Sequence, residues 1–119
     1  NEENLWRTQG SIKNSSGNLA LHIIGGTNYL IGTTLAQTGY VRDRDAEFIR
    51  KSVESKELVR QLEELIPLIN KTLDAIDMEA DYPLPFDGEK RKNSYVLLQL
   101  ALHLNYHLGQ VNYLRRVLE

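Results

Sequence analysis

The chain has 119 residues, a formal net charge of −2 and a sequence pI near 5.9. That length holds a single domain with one core, residues 1–119, and the weak charge, with lysines and arginines scattered along the chain, gives no electrostatic reason to expect nucleic acid or a membrane surface as partner. The absence of cysteine excludes a disulfide framework, a thiolate metal site and a cysteine nucleophile, and leaves the cytoplasm as the default compartment.

Residues 1–14 begin with the polar, acidic run Asn1-Glu2-Glu3-Asn4, unlike a signal peptide, and carry Trp6 among polar residues with no sustained period. They read as a lead-in segment. Ser15 or Ser16 can cap a helix that starts near Gly17 and runs to about Gln37, with Gly39 as a stop signal. At about 100° per residue, Asn18, Leu19, Gly25, Gly26 and Tyr29 share the side of His22. Two adjacent glycines in a helix cost roughly 1 kcal/mol each relative to alanine. Close approach of another helix, or open space above His22 for a ligand, should offset that cost.

The charged run from Gly39 to Phe48 shows no helical stripe. It reads either as a loop over a site, with Glu47 contributing a polar group, or as a solvated connection pinned by Phe48. A long helix follows from Ser52 or Ser55 to Ile76, with Leu58, Leu62, Leu65, Ile69, Leu73 and Ile76 as its buried stripe and Pro67 as an expected kink. That stripe holds no histidine and no paired carboxylate, which makes this helix scaffold. Residues 79–92, with Pro83, Pro85 and Gly88, read as a loop.

Asn93 or Ser94 then caps a last helix that continues to the chain end. Seen from His103, its inward face holds Val96, Gln99, Leu100, Tyr106, His107, Gln110, Leu114 and Val117, while Leu97, Ala101, Leu104 and Leu108 form a second apolar row. A helix buried on two faces needs a cover beyond the two other helices, either a further helix or a partner subunit. The longest apolar runs, such as Tyr95 to Ala101, fall far short of the roughly 20 residues of a membrane helix.

All three histidines of the chain fall in these apolar helical segments. His103 and His107 are one turn apart on one face, close enough to bind one metal ion together. A third imidazole from a neighbouring helix gives three protein ligands with coordination positions left open, the pattern of catalytic rather than structural sites. Gln110 can orient a ligand or a histidine, and Asn18, Tyr29 and Tyr106 are further candidates for polar groups around the site. The alternative is ordinary core chemistry: histidines bonded to backbone carbonyls, a buried amide, and bundle-core aromatics.

The run His103-Leu-Asn-Tyr-His107-Leu-Gly109-Gln110 resembles the signature that closes the DinB/YfiT-like superfamily, whose last helix carries His-x-x-x-His-x-Gly-Gln. Ser16-Gly17-Asn18-Leu19-Ala-Leu-His22 resembles the family's earlier helix, and Arg42 to Phe48 resembles the crossover of one of its branches. The resemblance implies an all-α fold, a four-helix bundle of up-down-down-up order. It also implies a divalent metal, zinc or nickel, held by His22, His103 and His107, and frequent dimerisation. Characterised relatives include metal-dependent thiol transferases that use low-molecular-weight thiols. The family begins with a helix that residues 1–14 do not supply, so the first helix is expected to be missing from this chain or replaced by a partner. Two functions are therefore expected in competition. One is a metal-dependent enzyme performing thiol transfer or hydrolysis on a small-molecule substrate. The other is a non-catalytic interaction or ligand-binding module, with a homodimer formed through the last helix or the missing-helix surface in either case.

Overall fold

Asn1 accepts a hydrogen bond from the amide of Asn4 and so starts helix α1, Glu2–Trp6. The computed structural model, which describes residues 1–119, thus places a short helix where the sequence shows only an aperiodic lead-in. Five residues are too few to show a period, and the Asn1 cap is the available signal. Trp6, at the end of α1, lies flat on the next helix: a Cβ on Gly17 would come within 2.6 Å of the indole ring.

Helix α2, Ser16–Thr27, is capped by Ser15, whose hydroxyl accepts from the Asn18 amide at 3.2 Å. The helical path does not run evenly to Gln37 as its sequence suggests; it widens into a π-helical stretch, Asn28–Thr33. Bonds from Thr34 to Tyr29 and from Ala36 to Ile31 span five residues. The widened backbone is met from outside by the Tyr82 hydroxyl, which donates to the Leu30 carbonyl at 2.6 Å. Gly32 lets Leu68 approach.

The charged crossover contains a helix too. Asp43 accepts from the Ala46 amide and caps α3, Arg44–Ile49. Its six residues are amphipathic only in that Glu47 and Phe48 turn inward, which no apolar stripe could signal.

Helix α4, Ser55–Ala75, stays helical through Pro67. Leu58 and Leu65 are buried as its stripe requires, but the stripe veers at the C-terminal end, where Leu73 is exposed and Thr72 is buried instead. Thr72 satisfies its hydroxyl on the Leu68 carbonyl. Residues 76–92 are an ordered loop that includes a tight reversal: Phe86 and Glu89 exchange backbone hydrogen bonds around Asp87 and Gly88, both at positive φ.

Helix α5, Asn93–Leu118, has Lys92 at its cap position. Asn93 does not cap it; its amide donates to the Asp77 carbonyl and ties the helix start to the loop.

Helix α2 is the hub, packed by α1, α3, α4 and α5, while α4 and α5 have at most marginal contact with each other. The apolar centre is correspondingly small, Leu21 and Ile24 of α2 against Leu58 and Leu65 of α4. The accessible surface, 7875 Å², exceeds by about 1,300 Å² the value expected for a monomer of this mass. The radius of gyration, 15.3 Å, likewise exceeds the roughly 13.5 Å of a compact domain of this length. Part of the exposed apolar surface lies on α5. Its buried residues are Asn93, Val96, His107 and Leu114, whereas Leu104 and Leu108 of the second apolar row are 46% and 60% exposed. Tyr106 and Val117, expected on the inward face, are also exposed, because a single neighbouring helix covers only one narrow strip of α5. The architecture is all-α, five helices with no strand, and no helix is long and apolar enough to cross a membrane.

Candidate metal centre

The one strip of α5 that touches α2 carries the chemistry. His103 and His107 project toward His22, and one ring nitrogen from each of the three imidazoles lies within 4.8 Å of the others. The His22 ring centroid is 5.0 Å from that of His107 and 5.8 Å from that of His103. Burial is graded: His107 is buried, His22 is half-buried and His103 stands at the rim.

Their partners fix which nitrogens face one another. Nδ1 of His107 lies 2.7 Å from Oε1 of Gln110, an oxygen that only accepts, so Nδ1 carries the proton and Nε2 keeps its lone pair. The Gln110 amide nitrogen points the other way, to the Tyr106 hydroxyl at 3.4 Å. Nδ1 of His22 lies 3.0 Å from Oε1 of Glu47 and 3.4 Å from Nη2 of Arg42, and the shorter contact to a carboxylate oxygen, which only accepts, places the proton on Nδ1 and the lone pair on Nε2. Nε2 of His107 and Nε2 of His103 are 2.8 Å apart. Two tetrahedral ligands of one zinc ion stand about 3.3 Å apart, from metal–nitrogen distances near 2.0–2.1 Å. The His103–His107 pair therefore needs to open by only about half an ångström to hold an ion, the three nitrogens together lie within 4.8 Å, and a donor set of neutral imidazoles suits zinc, nickel, copper or iron.

Glu47 is the keystone of the second layer. It is 6% exposed and takes two hydrogen bonds from Arg42, Nε to Oε2 at 2.8 Å and Nη2 to Oε1 at 2.9 Å, besides the one from His22. A buried carboxylate held by three donors is satisfied and rigid. Gly25 makes room for it: a Cβ there would lie 2.0 Å from Oε2. Of the two explanations for the Gly25-Gly26 pair, close approach thus describes Gly25, and the approaching element is α3. A Cβ on Gly26 would meet only Arg42, at 3.4 Å.

Asn18 does not face the imidazoles. It is fully buried, donates to the carbonyls of Glu47 and Arg50 at 3.0 and 2.8 Å, and accepts from Ser15 and Lys51. Its task is to clamp the backbone of α3 to α2 and so set the height of Glu47. The Phe48 ring packs 5.0 Å from the His22 ring. Tyr106 is mostly exposed, its ring stacked alongside that of His103 at 6.5 Å. Tyr29 lies in the π-helical stretch, near enough to Arg42 to influence its charge, and does not line the cavity described next.

The imidazoles form one wall of an open cavity of roughly 500 Å³, also lined by Gln110, Phe48 and Leu100. Burial holds the His22 pKa below its ordinary 6.5, opposed by the bond to Glu47. His103 is lowered as well, by burial first and then by His107. The guanidinium of Arg42 is driven the other way by its bonds to Glu47, which favour the charged form. Arg42 is the residue that sequence reasoning left without a role: five residues from Glu47, it sits at no helical spacing, and only the path of the crossover brings the two together. No protein-family model, curated protein or solved structure matches this chain.

Proposed function

We propose that this chain is a metal-dependent enzyme of the DinB/YfiT-like kind, in which His22, His103 and His107 hold one divalent ion, zinc or nickel. The observation that carries the reading is that two of the three imidazoles are held on their outer nitrogen by a side chain while the three rings face one another. The Nδ1 atoms of His22 and His107 are engaged by Glu47 and Gln110, and one ring nitrogen from each of the three imidazoles lies within 4.8 Å of the others at the wall of an open cavity. Core histidines satisfied by backbone carbonyls would not leave that arrangement.

A divalent ion in a three-histidine site supplies Lewis acidity toward water, thiol or carbonyl groups. The chain's own residues do the rest. Glu47 keeps His22 in one tautomer and one orientation, Gln110 does the same for His107, and Arg42 holds Glu47 in place with two hydrogen bonds. Phe48 and Leu100 narrow the cavity and exclude water from the inner wall. Glu47 is fully engaged and does not line the cavity, so it serves as a positioning residue and not as a general base. The reaction we assign is transfer of a low-molecular-weight thiol to a small electrophile, or hydrolysis of a small molecule, in the cytoplasm.

A second copy of the chain is proposed to cover the apolar row of α5. The support is the exposure of Leu104 and Leu108 together with an excess surface of about 1,300 Å², more than the roughly 800 Å² that each partner buries in a standard interface. The same exposed row supports the second reading, a non-catalytic binding module of this fold, which would use α5 and leave the cavity idle.

Metal analysis of protein purified without a histidine tag and reconstituted with zinc or nickel tests the first reading. One ion per chain, lost in His103→Ala, is expected. No bound ion, or unchanged content in that variant, would overturn it.

A further inference from the structure

The cavity faced by the three imidazoles is also lined by Arg42 and Arg44 and by no carboxylate, in a chain that carries 16 acidic against 14 basic residues. The two arginines are in different states. Arg42 is taken up by Glu47. Arg44, the first residue of α3, has no ion-pair or hydrogen-bond partner for its guanidinium. The acids beside it in sequence are turned elsewhere: Asp43 accepts from the Ala46 amide, and Asp45 is exposed outside the cavity. The wall formed by Leu19, Ile23, Leu30 and Leu100 is apolar.

We propose that the cavity selects a small organic carboxylate, its anionic group on the Arg44 guanidinium and its apolar body along Leu19, Ile23, Leu30 and Leu100. The other end of the ligand reaches the three imidazoles, and in that respect the inference rests on the metal reading above. The physical basis is threefold. A guanidinium fork matches a carboxylate in two parallel hydrogen bonds, which a neutral amide or hydroxyl group does not reproduce. With Arg42 compensated by Glu47, the uncompensated charge of the wall is that of Arg44, whose field a concave surface concentrates on the ligand, and an ion at the imidazoles would add to that field. The volume, roughly 500 Å³, is in the range of small-molecule sites. Arg44 is thereby a specificity-determining residue, chosen by what the cavity lacks as much as by what it holds.

The test uses the full chain loaded with cobalt(II), whose visible spectrum reports the arrival of a thiol. Two probes of equal length, 6-mercaptohexanoate and 6-mercaptohexanamide, are titrated at low and high salt. The carboxylate is expected to bind at least about fivefold more tightly at low salt, with the preference shrinking as salt screens it. In Arg44→Gln the two probes should bind within about a factor of two of each other. Equal affinities in the unaltered chain, or a preference that survives in Arg44→Gln, would overturn the proposal. If cobalt gives no spectrum, the metal reading fails by itself. Hexanoate against hexanamide, followed in the metal-free protein by the Arg44 side-chain NMR signal, then decides the carboxylate site separately. A shift with hexanoate alone supports it, and no shift or the same shift with both overturns it.

Discussion

The carboxylate of Glu47 occupies the space that a side chain on Gly25 would fill, with Oε2 only 2.0 Å from the place of the missing Cβ. An atom at the end of a flexible side chain can normally step aside. This one is held by Arg42 and His22, so moving it breaks hydrogen bonds at both.

Gly25→Ala therefore separates two effects of opposite sign. Helix propensity alone favours alanine by roughly 1 kcal/mol. Displacement of Glu47 removes the partner that orients His22, a class of change that costs about 10- to 100-fold in metal affinity. The expected outcome is weaker zinc binding, measured by competition with a chromogenic chelator, together with no gain in urea stability. A more stable protein with unchanged affinity would contradict the placement of Glu47.

Glu47→Gln keeps the shape and removes the charge. The Arg42 guanidinium, only 16% exposed, then loses its counter-ion, and loss of charged hydrogen bonds of this kind costs about 1.5–3 kcal/mol. In urea unfolding of the metal-free protein, Glu47→Gln should lose stability in that range. The double variant with Arg42→Gln should lose less than the sum of the two single losses, since the residues share one interaction.

Acidification should act through His22 and His103. Both pKa values are held below the ordinary 6.5 in the folded protein, so the unfolded chain binds more protons as the pH falls past that value. Stability is then full above pH 6.5 and declines as the pH drops through 6.5 and on through the folded values. Unfolding midpoints of the metal-free protein should fall between pH 7.5 and 5.5, and His22→Gln, which cannot titrate, should reduce the slope. A slope unchanged in that variant would show that His22 is not held neutral by burial.

Leu104 and Leu108 are exposed on α5, so a charge at either position should leave the stability of an isolated chain within about 0.5 kcal/mol. Sedimentation of Leu104→Glu with Leu108→Glu is expected to give a monomer where the unaltered chain gives a dimer. Identical mass for both proteins would remove the second copy from α5.

How far the sequence reaches is set by the range of its signals. Periodicity located α4 and α5 because both are long enough to repeat, and spacing joined His103 to His107 because one turn of helix separates them. The approach of His22 from α2 was readable as an apolar-face histidine followed by two unexplained glycines. Helices α1 and α3, of five and six residues, are shorter than two turns and leave no period, so the sequence shows both stretches as irregular. The grip of Arg42 on Glu47 and the clamp from Asn18 depend on how the crossover folds back on α2, a tertiary fact with no local pattern. Leu73 and Tyr106 were placed inward by periodicity and lie outside because their helices have too few neighbours to cover a full face.

Whether the three imidazoles share one ion is decided by crystals soaked in zinc and measured on both sides of its absorption edge. One anomalous peak is expected about 2.0–2.1 Å from a ring nitrogen of His22, His103 and His107 together. No peak among the three rings, or zinc bound by His103 and His107 with His22 turned away, would contradict it.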